Sequence, residues 1–330
     1  MKNKYRNIFL AFGIIAVLIM IFTFDMDYRE LWVNLKRAGI YLPLVLLLWL
    51  FVYLINTLSW YIIIRSGGKP GFSFSRLYKF TVTGFALNYV TPVGLMGGEP
   101  YRIMELKPFI GIERATSSVI LYVMMHIFSH FCFWLTSVLL YIFLYPVGWG
   151  MGIILGAITI FCLLIALLFI KGYQHGMAVA FVRLGSRLPF LKKKVIHFAE
   201  VHREQLENID QQIALLHRQK KQTFYAALSL EYMARVVSCL EIWLILNVLT
   251  THVSFADCCL IAAFSSLLAN LLFFLPMQLG GREGGFALAV GGLSLSGAYG
   301  VYAALITRVR EMVWIVIGLA LMKVGNKVKE

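Results

Sequence analysis

Long apolar runs constrain this chain more than any other feature of its sequence. A helix needs about 20 apolar residues to cross the hydrocarbon core of a bilayer. Six runs reach or approach that length, and they are 8–24, 40–64, 115–145, 149–170, 223–250 and 300–322. Because 60% of the 330 residues are hydrophobic, a soluble core could not hide them. The sequence therefore predicts an all-α polytopic membrane protein, with residues 1–330 forming one membrane domain.

The first run, 8–24, follows the basic segment MKNKYRN and has two interpretations. A cleaved signal peptide is one of them, but no small-residue cleavage site follows, because Asp25, Met26 and Asp27 come next. A retained signal anchor is therefore favoured, and it supplies the first of about six full transmembrane helices.

Basic residues orient these helices, since Lys and Arg collect in cytoplasmic loops. The N-terminus, the 65–79 loop, the 171–222 segment and the C-terminus hold 3, 4, 10 and 3 of them. The 25–39 segment also holds three, but three acidic residues balance them. Both termini are therefore predicted to be cytoplasmic. The net charge of +14 does not indicate nucleic acid, because the basic residues cluster in loops at one membrane face.

One shorter apolar stretch, 77–92, runs into a glycine-rich break and does not fit an ordinary crossing. Its start is predicted to lie inside, next to the basic 65–79 loop. Span 115–145 must also start inside, because the next span has to return the 171–222 segment to the cytoplasm. Residues 80–114 therefore leave one face and come back to it, which predicts a re-entrant helical hairpin.

A second shorter stretch, 255–275, behaves in the same way on the other side. The orientation places residues 251–254 outside, and span 300–322 must start outside in order to end in the cytoplasm. Residues 255–299 are therefore predicted to form a second re-entrant hairpin, oriented opposite to the first.

The breaks of the two hairpins carry related motifs. PVGLMGGE at 92–99 and PMQLGGRE at 276–283 share a proline, a glycine five residues later and a glutamate two residues after that. An asparagine precedes each motif, at Asn88 and Asn270. The sequence therefore predicts an inverted repeat, with 40–145 as its first copy and 223–322 as its second.

The composition of these motifs has a physical explanation. Non-helical backbone is tolerated at membrane depth only where it lines protein or a water-filled cavity. Paired broken segments are typical of a transporter's central site, where freed N–H groups can hold an anion. Tight turns at the membrane surface are the alternative, but they do not explain a glutamate in both copies. The predicted substrate-binding residues at the breaks are Asn88, Gly97, Gly98, Glu99, Gly281 and Glu283.

Charged side chains inside the predicted spans are expensive and should face a partner or a cavity. Glu231 and Arg235 are four residues apart, and Arg308 and Glu311 are three apart, so each pair could be a structural ion pair. The functional alternative assigns arginines to phosphate, because one guanidinium binds two oxygens at once. The candidates for phosphate binding are Arg102, Arg282 and Arg308.

His126 and His130 share one face of span 115–145, at i and i+4. A proton relay, a metal site and an inward polar face are the three explanations, and the last is favoured because HEXXH is absent. The five cysteines lie in apolar stretches without metal-ligand spacing. No nucleotide-binding or nucleophile motif occurs either. The sequence thus predicts no metal, no cofactor and no catalytic residue.

Residues 171–222 form the largest polar segment. Apolar residues spaced three or four apart from Val195 to Leu216 predict one stripe of a helix. A surface helix on the membrane domain is favoured, and a coiled-coil contact in a homo-oligomer is the alternative. The lysines at 192–194 are predicted to face anionic lipid headgroups.

These motifs resemble the transmembrane family of lysylphosphatidylglycerol synthase and flippase-like proteins, which includes the membrane half of the multiple peptide resistance factors. The first family motif is matched in NYVTPVGLMGGEPYR by Asn88, Pro92, Gly97, Gly98, Glu99 and Arg102. The second is matched in LPMQLGGREGGFALA and AALITRVRE by Pro276, Gly280, Gly281, Arg282, Glu283 and Arg308. Many members carry Glu-Arg and Asp on the helix after the first hairpin, where this chain has SSVILYVMMHIFSH. The soluble aminoacyltransferase domain is absent from these 330 residues, so the resemblance does not extend to lipid aminoacylation.

Together with the paired hairpins, the resemblance implies a stand-alone flippase for an anionic or phosphate-bearing lipid in a prokaryotic cytoplasmic membrane. The headgroup is expected to bind between the hairpins near the bilayer midplane, while the two halves rock to expose it alternately. Two alternatives remain open. One is a membrane-embedded, lipid-modifying transferase that uses the same cavity, and the other is a scaffold that recruits partners through 171–222.

Overall fold

Helices are the only regular secondary structure in the described part of the protein. The computed structural model describes residues 28–90, 97–175, 221–250, 252–271, 281–293 and 295–323, with the single positions 7, 11, 14 and 204. The ten helices of these ranges are α1 Tyr28–Ala38, α2 Tyr41–Ser66, α3 Phe74–Val90, α4 Gly98–Ile110, α5 Ile112–Leu144, α6 Trp149–His175, α7 Lys221–Leu246, α8 Phe255–Leu271, α9 Gly281–Gly291 and α10 Gly297–Leu321. The prediction of an all-α protein is confirmed for these residues.

Three of the described helices are long and apolar enough to cross a membrane: α2, α5 and the Trp149–Leu167 part of α6. The 26 residues of α2 rise about 39 Å, which exceeds the ~30 Å hydrocarbon core of a bilayer. On α6 the side chains of Ile153, Ile160 and Leu164 point outward and are exposed. An apolar surface of this extent is stable against lipid rather than water. The chain is an integral membrane protein.

The predicted spans 223–250 and 300–322 correspond to α7 and α10, which carry buried charges. Glu231 and Glu241 on α7 and Arg310 on α10 are each at most 4% exposed. Charged side chains in an apolar bundle need partners that lipid cannot supply. Accordingly, α7 packs against α2, α5, α8 and α10, so that its charged face meets protein.

The packing between helices repeats along the chain. We call α2–α5 the first unit and α7–α10 the second unit. The packing of α3 on α4 is matched by α8 on α9, that of α4 on α5 by α9 on α10, and that of α3 on α10 by α8 on α5. The first helices of the two units, α2 and α7, pack against each other. Two copies of one four-helix unit would produce this pattern. The predicted copy 40–145 encloses the first unit, and the predicted copy 223–322 covers the second except for the first two residues of α7.

Each unit contains two short helices on either side of a break. Helices α3 and α8 have 17 residues each, whereas α4 has 13 and α9 has 11. A helix of that length rises about 26 Å or less, so it falls short of the hydrocarbon thickness. The pair α8–α9 lies within the predicted hairpin 255–299, whereas the pair α3–α4 overlaps the predicted hairpin 80–114 but begins six residues before it, at Phe74. The breaks themselves, 91–96 and 272–280, lie outside the described residues.

Other predictions also fall outside the described residues. They concern the first span at 8–24, the stripe from Val195 to Leu216, and the lysines at 192–194. The surface helix, the coiled-coil contact, the homo-oligomer and the binding of anionic lipid by 171–222 therefore stay predictions.

A hydrogen bond joins the two units where α5 ends and α8 begins. Tyr145, one residue beyond α5, donates its hydroxyl to Asp257 Oδ1 at 2.6 Å. Asp257 Oδ2 accepts from the Ser254 N–H at 3.0 Å, and Ser254 Oγ accepts from the Asp257 N–H at 3.1 Å, which forms a capping box on α8. Burial and the bond to Asp257 raise the pKa of Tyr145 to about 12. The hydroxyl therefore keeps its proton and donates throughout the neutral pH range.

Candidate functional site

A polar cavity of about 280 Å³ lies between the two units. Its wall is formed by α2, α3 and α5 of the first unit and by all four helices of the second. The acidic and basic side chains that line it are His126, His130, Glu231, Arg235, Glu241 and Arg310. Such groups are expensive inside an apolar bundle, and their convergence on one cavity indicates a functional site.

Where α5 faces α7, a histidine bonds the acid and the arginine bonds neutral groups. His126 Nδ1 lies 2.7 Å from Glu231 Oε2. Arg235 donates through Nε to Ser129 Oγ and through Nη2 to the His126 carbonyl oxygen, both at 2.6 Å. Because both acceptors are neutral, no carboxylate among the described residues compensates the charge of Arg235 through a hydrogen bond. That charge is available to an anion that enters the cavity, where the low dielectric strengthens the attraction.

Where α7 faces α10, the cation is held by carboxylates. Arg310 donates to both oxygens of Glu241, at 2.9 and 3.1 Å, and its Nη1 lies 3.7 Å from Glu311 Oε1. Trp49 donates its ring N–H to Glu241 at 2.9 Å, and its ring centroid is 3.8 Å from Arg310 Cζ. A bidentate pair covered by an aromatic face is strong and geometrically specific. These contacts therefore hold Arg310 and Glu241 in one arrangement on this side of the cavity.

The start of α4 is held by side chains of α3 and α4. Asn88 donates to Glu99 Oε1 at 2.9 Å and accepts from the Gly98 N–H at 2.8 Å. Arg102 donates to the same Glu99 oxygen at 3.3 Å. Asn88 thus satisfies one of the unpaired N–H groups of the helix terminus, and Glu99 lies in the first turn, where a negative charge is favourable. The structure brings these four predicted residues together in one network.

Close approach of the two helices requires glycine at two positions. A Cβ atom on Gly98 would strike the Gly84 carbonyl oxygen, which belongs to rigid backbone. A Cβ atom on Gly84 would strike the Arg102 guanidinium. The hairpin motif therefore uses Gly98 for packing α4 against α3.

Arg102 lies behind the cavity wall. It is 1% exposed, and its Cζ atom is 4.8 Å from the Phe85 ring centroid, 5.3 Å from that of Tyr122 and 5.7 Å from that of Trp60. It also donates to the Thr81 carbonyl oxygen at 3.3 Å. Phe85 lines the cavity, whereas Arg102 does not. Through these contacts, Arg102 connects α3, α4 and α5.

The structure describes the predicted site residues of the second unit only in part. Gly281 is the first residue of α9, and the side chains of Arg282 and Glu283 lie outside the described residues. Arg308 Nη1 lies 3.9 Å from Glu311 Oε2, so the predicted pair is within ion-pair distance. Both residues are buried on α10, next to the cavity residue Arg310 but outside the cavity lining.

The direct ion pair predicted between Glu231 and Arg235 is not what the structure has. Glu231 bonds His126, and Arg235 bonds Ser129 and the His126 carbonyl oxygen. The i, i+4 spacing brings two side chains within reach on one helix, but α5 packs beside α7 and offers partners with better alignment. His126 and His130 both line the cavity, so the helix face that they share points inward, as predicted. Their ring centroids are 5.7 Å apart.

Arg310 and Glu241 are the site residues that sequence reasoning missed. A signal for Arg310 was present in the repeat itself. Pro92 and Pro276 are 184 residues apart (276 − 92), and the same offset from His126 gives Arg310 (126 + 184). By this offset, the two residues occupy equivalent positions on the last helix of each unit. Each bonds a carboxylate of α7. Within the described ranges, no group of three or more His, Cys, Asp or Glu side chains is placed to hold a metal ion.

These observations define the class of the protein. It is a helical integral membrane protein. A cavity lined by ionisable side chains lies between two four-helix units whose helices pack in similar ways. Residues 8–319 match the family described as the lysylphosphatidylglycerol synthase TM region, and the chain belongs to that family. Neither the curated proteins nor the solved structures include a significant match to it.

Proposed function

We propose that this protein moves an anionic, phosphate-bearing lipid across the bilayer through the cavity between its two units. The description of the family names the membrane region of lysylphosphatidylglycerol synthase, which indicates a function related to membrane lipids. The cavity supplies the second support, because it offers a charged site inside a bundle whose outer surface is apolar. A lipid headgroup needs such a path, since a bare charge is excluded from hydrocarbon.

The observation that carries the proposal is the position of Arg235. It lines the cavity, and its two hydrogen bonds hold the guanidinium in place on neutral acceptors, with no bonded carboxylate in the part of the chain that the structure describes. A phosphate oxygen near Arg235 would gain a charge-assisted hydrogen bond, which is about twice as strong as a neutral one. Arg235 thus replaces Arg102 as the first choice for the phosphate ligand.

A neighbouring pocket favours a lipid over a small soluble anion. This pocket measures about 120 Å³ and is mainly apolar, between α5, α6, α8 and α9. Trp134 lines it and donates to Ser266, which lines the polar cavity, at 3.0 Å. An amphipathic molecule could therefore place its headgroup on one side of Trp134 and an acyl chain on the other.

The translocation step uses the two units as moving halves. We assign six full crossings and two oppositely oriented re-entrant hairpins, with both termini in the cytoplasm. The network of Asn88, Glu99 and Arg102 holds the first hairpin as one body, and Glu283 is the counterpart of Glu99 in the second (99 + 184). Rocking of one unit against the other then exposes the cavity to each leaflet in turn.

The topology can be tested by single cysteines in a variant without the native ones. Gly148, between α5 and α6, is assigned outside, and Lys69, between α2 and α3, is assigned inside. A membrane-impermeant maleimide added to intact cells should label cysteine at Gly148 and not at Lys69. The reverse pattern would contradict the orientation.

Arg235→Ala tests the transport proposal in proteoliposomes that contain fluorescent phosphatidylglycerol. Chemical quenching of the outer leaflet measures how fast labelled lipid crosses. Loss of a charge-assisted bond worth about 1.5–3 kcal/mol should lower the affinity for the headgroup on the order of 10- to 100-fold. Translocation at subsaturating lipid should fall accordingly.

Arg65→Ala is the matched control, because Arg65 is an exposed arginine at the end of α2. It should leave translocation unchanged. Labelled phosphatidylcholine, whose headgroup carries no net charge, should cross more slowly than phosphatidylglycerol. Wild-type rates in Arg235→Ala would refute the assignment of Arg235.

A lipid-modifying enzyme is the competing function, and it predicts a chemically altered lipid. Mass spectrometry of lipids from a deletion strain separates the two functions. Unchanged lipid species with altered leaflet exposure support transport, whereas the loss of one modified species would support the enzyme.

A further inference from the structure

The fixed charges of the cavity add up to zero when both histidines are uncharged. Glu231 and Glu241 contribute two negative charges, and Arg235 and Arg310 contribute two positive ones. Two buried arginines next to the cavity are also paired, Arg102 with Glu99 and Arg308 with Glu311.

The breaks of the two hairpins do not alter this sum. Neither break, 91–96 or 272–280, contains Asp, Glu, Lys, Arg or His. Arg282 and Glu283 follow the second break and carry opposite charges. A monoanionic phosphodiester would therefore give the filled cavity a net charge of −1. An uncompensated charge away from water is costly, so a positive charge should enter with the lipid.

The His126–Glu231 contact is a place in the cavity where a proton can bind. The two side chains are 2.7 Å apart, and Glu231 is 1% exposed. The second oxygen of Glu231, Oε1, is buried without a hydrogen-bond partner in the described part of the chain. Glu99, Glu241 and Glu311 each pair with an arginine.

We infer that the His126–Glu231 pair binds one proton with each monoanionic phosphodiester headgroup, so that transport of the lipid is coupled to movement of a proton. This inference rests on the proposed function and adds the source of energy for it. The reasoning is reciprocal: a headgroup beside Arg235 favours the proton on the pair, and the proton favours the headgroup by the same factor.

Groups from several helices surround the pair and set its protonation. The titratable and charged ones are Tyr89 on α3, Glu99 and Arg102 on α4, Tyr122, His130 and Cys132 on α5, and Arg235 on α7. Helices α2 and α8 contribute neutral polar groups to the same cavity, such as Asn56 and Ser265. Arg235 opposes a second positive charge in the empty cavity, and a bound phosphate reverses that effect. The proton is therefore taken up on binding and not before.

Calorimetric titration of the full-length protein with short-chain phosphatidylglycerol measures this coupling. Buffers with different ionisation enthalpies report the number of protons bound, which should be about one per lipid. The affinity should be highest at low pH and should fall about tenfold per pH unit where the free pair lacks its proton.

Two variants have opposite expected outcomes, which a purely structural role would not produce. Glu231→Gln removes a negative charge, so the cavity gains the compensating charge permanently. Its affinity should stay near the wild-type low-pH value at every pH, without proton uptake. His126→Gln keeps the cavity neutral and removes the base. Its affinity should therefore be low across the neutral range, with a weakened pH dependence.

His252→Gln is the control, since His252 is exposed between α7 and α8. It should keep both the proton uptake and the pH dependence of wild type. Binding without proton uptake, at an affinity that does not change with pH, would overturn the coupling and leave the proposed transport standing. Absence of binding at every pH would overturn both.

Discussion

The two sides of the cavity differ at equivalent positions. His126 of the first unit and Arg310 of the second are related by the 184-residue offset of the repeat, and each bonds a carboxylate of α7. The histidine makes one contact to Glu231, and an imidazole can exist with or without a positive charge. The arginine makes two bonds to Glu241 under the face of Trp49 and keeps its charge.

This difference shows how a repeated scaffold can carry unequal functions. The second unit keeps a permanent ion pair that holds α7 to α10, whereas the first unit has a contact whose charge can change. Both α5 and α10 pack against α7. The arginine holds its carboxylate in a permanent pair, whereas the histidine forms a contact whose charge can change. Four substitutions test this distinction, in order of decreasing effect.

Arg310→Met should have the largest effect on stability. It leaves Glu241 buried without its cation, and removing one partner of a buried pair costs about 3–5 kcal/mol. Chemical unfolding in detergent measures the loss. The double variant Glu241→Leu with Arg310→Met removes both charges and should recover most of it. A double variant as unstable as the single one would show that packing, and not charge, holds this side.

His126→Arg places the cation of the second unit in the first. A permanent charge removes the need for a proton, so binding of phosphatidylglycerol should no longer fall about 100-fold over two pH units. Titration at about pH 6 and pH 8 measures the change. The same substitution at exposed His252 should keep the wild-type pH dependence. A His126→Arg protein that retains the dependence would place the proton elsewhere.

Gly98→Ala tests the packing that is particular to the first hairpin. The counterpart of Gly98 in the second unit is Arg282 (98 + 184), so this glycine contact is not repeated. Because the new Cβ atom would meet the Gly84 carbonyl oxygen, α4 must shift, at a cost of about 1–3 kcal/mol. Unfolding midpoints measure the loss. Gly291→Ala, where a Cβ atom meets no other atom within 4 Å, is the control and should be within about 0.5 kcal/mol of wild type.

Tyr145→Phe should have the smallest effect, at the junction between the units. It removes one hydrogen bond to Asp257, worth about 1 kcal/mol. Because the pKa of Tyr145 is raised to about 12 by burial and by Asp257, the difference from wild type should be constant from pH 6 to pH 9. Unfolding at both pH values checks this. A difference that disappears at pH 9 would mean that the tyrosine ionises there.

Much of the fold could be predicted because its signals are local. Apolar runs indicated the membrane helices, and the motif at 92–99 brought Asn88, Glu99 and Arg102 together as neighbours on adjacent short helices. The partners of the buried charges could not be predicted in the same way. His126 and Glu231 are 105 residues apart, and Glu241 and Arg310 are 69 apart, so their contacts depend on how α7 packs against α5 and α10. Spacing along one helix suggested Arg235 as the partner of Glu231, and packing between helices gave it His126.

The position of a bound phosphate tests the proposed transport site most directly. A structure of the protein in lipid nanodiscs with phosphatidylglycerol should show phosphate density in the cavity within hydrogen-bond distance of Arg235. Density beside Arg102 or Arg308, with none beside Arg235, would contradict the assignment of the site.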